Sequence, residues 1–112
     1  MKLITAIIKP NKLDEVKSAL REAGVTGMTV SEVSGVGQQG GHVEIYRGAE
    51  YPIDLIQKVR IEILAKKEMV DSLINVIVKS ASVGAIGDGK IWVTSVDQVV
   101  RVRTGEKGET AI

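Results

Sequence analysis

The chain has 112 residues, a formal net charge of +1 with 26% charged residues, no cysteine and one histidine, His42. That length suits a single domain with a core of its own and leaves little room for a second. The near balance of charge removes any global field that would draw nucleic acid or an anionic membrane, and the lack of cysteine removes disulfides, thiolate zinc sites and a cysteine nucleophile.

The opening segment, MKLITAIIKP, carries an apolar run too short for the hydrophobic region of a signal peptide. No later run approaches the roughly 18 apolar residues of a membrane span, so a soluble cytoplasmic protein is the expectation. Residues 3–9 are apolar and rich in isoleucine and close on Pro10 and Asn11, the pattern of a buried strand. Over residues 12–23, Leu13, Val16, Ala19, Leu20 and Ala23 recur at three- and four-residue steps, which predicts a helix that Gly24 ends. Residues 28–36 read as a second strand, with Met28 and Val30 on one face and Thr29, Ser31 and Val33 on the other.

Residues 35–54, GVGQQGGHVEIYRGAEYPID, hold five glycines, the histidine and two of the three aromatics, Tyr46 and Tyr51. Such a stretch is too polar and too rich in glycine for a core, and it predicts a long adaptable loop that meets a partner. Beyond it, Val59, Ile61 and Ile63 alternate with Lys58, Arg60 and Glu62, a strand with one face to the core and one to water. Residues 67–81 form a helix on the stripe Val70, Leu73, Ile74, Ile77 and Ala81. A second glycine-rich turn, residues 82–90, leads into a strand over 91–96, where Trp92 is expected in the core. Residues 99–103 read as one more short strand, and a polar tail follows from Gly105.

Strand, helix, strand thus occurs twice, and KLDEVKSAL and KEMVDSLIN, placed alike in the two halves, suggest an internal duplication. Two such halves give an α+β chain of ferredoxin-like βαββαβ order, one domain over residues 1–112, with an antiparallel sheet and both helices on one face. The other face is left uncovered and calls for self-association.

Three groups of residues offer chemistry. Gly84, Gly87, Asp88, Gly89 and Lys90 put backbone amides and a cation in a loop free of bulky side chains, which suits phosphate binding. The spacing is not that of a P-loop and a strand follows instead of a helix, so a plain turn is the alternative. Arg101 and Arg103 share a face if their segment is extended, and paired guanidiniums suit phosphate oxygens; a charged edge strand is the alternative. The coincidence of loop and arginine pair favours a nucleotide. Gln39 and Lys58 offer an amide and a cation to an anionic ligand. His42, with no carboxylate or histidine cluster beside it, reads as a surface or hydrogen-bonding residue, and Tyr51, before Pro52, as an exposed phenol open to partner contact or covalent modification.

AIIKP, VTGMTVSEV, YRGAEY at residues 46–51, IGDGK at 86–90 and VRVRTGE at 100–106 occur in one order across the whole chain, and with them it resembles the PII nitrogen signal-transduction family. The resemblance implies a non-enzymatic homotrimer with a protruding loop that engages protein targets, such as an ammonium channel or regulators of glutamine metabolism. It implies that ATP and ADP compete in clefts between subunits. Gly87, Asp88, Gly89 and Lys90 would hold phosphates and ribose, Arg101 and Arg103 would bind phosphates from a C-terminal strand, and Thr29, Gly35 and Gly37 would sit at the nucleotide. Mg-ATP would create a site for 2-oxoglutarate, with Gln39 ligating the magnesium and Lys58 pairing with the distal carboxylate. Tyr51 matches the tyrosine that many members carry modified by a nucleotidyl group.

The chain departs from the family pattern at Gln38, usually arginine, at Gly40, usually lysine, and at Val83 and Ala85, where threonine and lysine are common. These changes remove cations and a hydroxyl near the nucleotide, and Pro52 stiffens the backbone beside Tyr51. The alternatives are a slow ATP-hydrolysing enzyme, whose candidate bases are Asp88 and Glu62, and a nucleotide sensor that has lost the 2-oxoglutarate response. An RNA-binding ferredoxin-like domain is disfavoured by the absence of phenylalanine and the near-neutral charge.

Overall fold

The computed structural model describes residues 1–37, 42–46, 49–53 and 55–112, with the backbone alone over 42–46 and 49–53. Its elements follow in the order β1 (Lys2–Ile8), α1 (Leu13–Glu22), β2 (Thr29–Gly35), β3 (His42–Tyr46), β4 (Ala49–Ile53), β5 (Ile56–Ala65), α2 (Val70–Ala81) and β6 (Gly89–Ser95). Strands β2, β5, β1 and β6 form one antiparallel sheet in that spatial order. With a helix inside each strand–helix–strand half, this is the ferredoxin-like arrangement.

Register explains the core. Ile4, Ala6 and Ile8 of β1 lie opposite Ile63, Ile61 and Val59 of β5, and Ile4 and Ala6 lie opposite Val93 and Ile91 of β6. Alternation therefore puts one apolar row from three strands on a single face. Val16 and Leu20 of α1 and Leu73, Ile77 and Ala81 of α2, spaced four apart within each helix, are buried in the same cluster. Both helices begin after a short 3-10 turn, and α1 carries Asp14 and Glu15 in its first turn, where carboxylates favour the helix dipole. Helix α1 ends as its sequence demands. Gly24 takes φ +98°, its N–H donates to Arg21 and that of Val25 donates to Leu20, so the last carbonyls are satisfied by a Schellman turn.

The opposite face carries Leu3, Thr5 and Ile7 of β1, Glu62 and Leu64 of β5, and Lys90, Trp92 and Thr94 of β6. Trp92 is 46% exposed and Leu64 39% exposed, so Trp92 does not lie in the core as expected. Strand alternation aims it away from the helices, because Ile91 and Val93 take the inward positions.

Two further segments differ from the sequence expectation. Within residues 35–54, β3 and β4 pair antiparallel in register His42↔Ile53 to Tyr46↔Ala49, so that stretch contains a hairpin and not only a loop. Residues 99–103 form no strand. Val100 makes an isolated bridge to Lys107, the chain turns at residues 102–104, and a short 3-10 turn occupies Glu109–Ala111 of the tail.

Candidate functional site

Helix α2 stops at Ala81 because Ser82 turns extended, at φ −78° and ψ 136°. The chain then curls through residues 82–88 around one carboxylate. Asp88 Oδ2 accepts the N–H groups of Val83 at 3.1 Å, Gly84 at 3.0 Å and Ala85 at 3.1 Å, and the Ser82 hydroxyl donates to it at 3.3 Å. Gly84 and Gly87, at φ +78° and +92°, supply the left-handed turns that let three successive amides converge. The loop is thus an anion-binding nest, as its glycines suggested, but the anion at these three amides is the chain's own.

The other oxygen, Asp88 Oδ1, is buried without a hydrogen bond and lies 3.5 Å from Lys9 Nζ. Burial alone would raise the Asp88 pKa; the amides of Val83, Ala85 and Gly84, with help from Lys9, outweigh it and hold the carboxyl below its ordinary value. Lys58 is 8% exposed, on a strand face expected to meet water, and its ammonium donates to the carbonyl of Gly87. Burial and then the neighbouring Lys9 push the Lys58 pKa down, while Asp88 opposes them. Lys9, Lys58, Gly87 and Asp88 therefore form one corner, a cationic pair beside a neutralised carboxylate. It is suited to a small acid that brings its own charge.

Gly89 has a separate reason to be glycine. It opens β6 at φ +112°, and a Cβ there would stand 1.7 Å from the carbonyl oxygen of Ile7. Lys90 follows it, exposed, opposite Ile7 on the uncovered face. A cavity of about 390 Å³ runs beneath, between Ile77 and Ala81 of α2 and Asp88, Gly89 and Lys90.

The remaining predicted residues lie elsewhere. Thr29 begins β2 opposite Glu62 and lines a larger groove of about 710 Å³ with Leu64, Met69 and Ile112. Because β2 and β6 are the two edges of the sheet, three strand spacings of about 4.8 Å and three residues along the strand separate Thr29 from Gly89, roughly 17 Å in all. Gly35 ends β2 and Gly37 follows it, exposed.

Arg101 does not project from a strand. Its guanidinium donates to Glu106 Oε1 at 2.7 Å and to the Thr110 carbonyl at 3.1 Å, inside a turn closed by backbone bonds from Arg101 to Glu106 and from Gly108 to Val99. Arg103 is exposed in that turn, so the shared face expected of the pair is not formed. Local ion pairing and the turn at Thr104 and Gly105 override the alternation of Val100, Val102 and their arginines. Gln39 lies outside the described residues, as do Gln38 and Gly40. Tyr51 is on β4 opposite Glu44, His42 on β3 opposite Ile53, and the side chains of both are outside the described residues. The sequence pattern carries no signal for Lys9 or Ser82, while the spacing of Arg101 and Glu106 about a Thr-Gly turn is a signal for their pairing.

Comparison with known proteins gives a consistent picture. The family described as Nitrogen regulatory protein P-II matches residues 1–106. The chain is 55% identical over 112 residues to Nitrogen regulatory protein P-II 1 of Escherichia coli (strain K12) and 57% identical over 112 residues to Nitrogen regulatory protein P-II of Rhodobacter capsulatus, covering all of each chain in both cases. Nitrogen regulatory protein P-II of Klebsiella oxytoca is 55% identical over the same length.

Proposed function

The chain belongs to the nitrogen regulatory protein P-II family, and from that premise we propose that it is a non-enzymatic, trimeric signal-transduction protein. In this reading it binds ATP or ADP between subunits, takes 2-oxoglutarate when Mg-ATP is present, and regulates protein targets in the cytoplasm through residues 35–54.

The observation that carries the intersubunit site is the distance across the sheet. Thr29 on one edge and Gly89 with Lys90 on the other are too far apart to hold the same phosphate or ring from one chain. A second copy laid against the uncovered face, with its exposed Trp92 and Leu64, brings one chain's β2 side, together with the C-terminal arginine turn whose tail residue Ile112 lines the Thr29 groove, to another's glycine loop and removes apolar surface from water. In such a cleft Gly87, Gly89 and Lys90 would face the phosphates. Arg101 would approach them already held by Glu106, and Arg103 would be free to swing toward them.

The corner of Lys9 and Lys58 supports an acidic effector. Two ammonium groups there attract a dicarboxylate and repel a bare metal ion, so magnesium would arrive with nucleotide phosphates and take the Gln39 carboxamide as its protein ligand. Magnesium would supply the positive charge that offsets the phosphates and draws in the keto acid. Each combination of effectors would favour one conformation of residues 35–54, and the targets would read that population shift. A nucleotidyl group on Tyr51 would add bulk and negative charge to the same contact surface.

Titration calorimetry tests the reading. ATP and ADP should each bind and compete, and 2-oxoglutarate should give heat only in the presence of Mg-ATP. Absence of nucleotide binding at millimolar concentration removes the proposal. Nucleotide binding without any response to 2-oxoglutarate reduces it to a nucleotide sensor that has lost that response.

A further inference from the structure

A carboxylate within a phosphate-binding loop is electrostatically misplaced as a phosphate contact, since like charges at close range oppose binding. Both oxygens of Asp88 are also committed, one to three amides and a hydroxyl, the other to the Lys9 ammonium. The next residue back, Gly87, offers its carbonyl to Lys58, and the next forward, Gly89, is pressed against the backbone of Ile7. Asp88 therefore fixes the curl of the loop at its centre, with the effector-side lysines on one hand and the start of β6 on the other.

We infer that Asp88 is an internal anion that fills the amide nest of residues 83–85 and acts as a positioning residue for nucleotide binding, without itself touching phosphate or ribose. The inference rests on the nucleotide-binding reading and deepens it. In this role the carboxylate does at residues 83–85 what a phosphate does in other glycine loops. It leaves Lys90 and the Gly87–Gly89 backbone to meet the ligand in one preset shape. Two consequences separate this role from direct contact. Removing the carboxylate should loosen the loop and weaken nucleotide binding even though a negative charge has been taken away. The emptied nest should also accept a small carboxylate from solution.

The test uses the full chain with Asp88→Ala and Asp88→Asn, each checked for native circular dichroism and association state. Hydrogen exchange at Val83, Gly84 and Ala85 should be slow in the wild type, where Asp88 accepts all three amides, and should accelerate in Asp88→Ala. ATP should bind Asp88→Ala about tenfold more weakly or worse, with Asp88→Asn between the two. Formate should restore both exchange protection and ATP affinity to Asp88→Ala while leaving the wild type unchanged. The inference is overturned if Asp88→Ala binds ATP as tightly as the wild type or more tightly, or if formate restores neither readout. If the wild type itself binds no nucleotide, the proposed function falls. Exchange at the three amides and its rescue by formate then still decide whether Asp88 fills the nest.

Discussion

Replacing Gly89 by alanine should destabilise this protein more than the same change at Gly84, the other end of the same loop. At φ +112° an L side chain is strained, by about 1–2 kcal/mol on the usual steric scale. The added Cβ would also lie 1.7 Å from the Ile7 carbonyl oxygen, 2.8 Å from its carbon and 3.3 Å from the Ile8 Cα. All three atoms are backbone of the central strand β1, so no side-chain rotation relieves the clash, and overpacking of this kind adds about 1–3 kcal/mol or more. A total loss of about 2–5 kcal/mol is a large part of the stability of a small domain. Gly84→Ala is the control, because Gly84 has φ +78° but nothing within 4 Å of the new atom, and should cost only the strain of about 1–2 kcal/mol. Urea unfolding at equal protomer concentration, without nucleotide, measures both, the fixed concentration being needed because association shifts apparent stability. If Gly89→Ala destabilises no more than Gly84→Ala, the close approach of β6 to Ile7 is wrong and with it the account of why the loop ends in glycine.

Acid should remove the stability that the nest provides. The folded pKa of Asp88 is depressed below its ordinary 3.8, so its contribution is present above that value and is lost as the pH falls through the folded pKa. Urea midpoints of the wild type and Asp88→Asn, compared between about pH 7 and about pH 2, should converge at the acid end, and a gap independent of pH would contradict the assignment. Lys58→Met should unfold no more easily than the wild type at neutral pH, because burial already disfavours the ammonium, whereas calorimetry should show 2-oxoglutarate binding lost. Since the folded pKa of Lys58 is lowered, the unfolded chain holds more protons between that value and 10.5. Wild-type stability should therefore gain with rising pH there, a gain that Lys58→Met lacks.

What the sequence revealed follows from where side-chain periodicity carries the information. The stripe Leu73, Ile77 and Ala81 and the alternation of Val59, Ile61 and Ile63 each name an element and the face it buries, and both stand where they were expected. Strand β6 begins two residues earlier than its apolar pattern because Gly89 has no side chain to mark it; only pairing with Ile8 makes it strand. The alternation of Val43 and Ile45 with His42, Glu44 and Tyr46, followed two residues later by Ala49–Ile53, was a hairpin signal hidden by the surrounding glycines. Hydrophobicity alone puts Trp92 in the core, but the parity set by Ile91 and Val93 turns it to the opposite face.

At the candidate site, the sequence disclosed the residue types but not their engagements. IGDGK announces an anion nest, yet nothing in five letters says that Asp88 reaches back to the amides of 83–85 and occupies it. VRVRTGE announces two arginines, and the competition between an extended strand and the Arg101–Glu106 pair is settled only by geometry, at 2.7 Å. The lowered pKa of Lys58 arises from burial on a strand face that alternation assigns to water, and that burial depends on the glycine loop folding over it.

Subunit mixing tests most directly the claim that a nucleotide is gripped by the glycine loop of one chain and the arginine turn of its neighbour. Lys90→Ala and Arg103→Ala are each expected to abolish ATP binding as pure assemblies. Co-expressed in equal amounts, they should regain about a quarter of the wild-type sites, because one pairing in four joins an intact loop to an intact turn. Recovery of no sites in verified mixed assemblies would place both groups in the same chain and contradict the account.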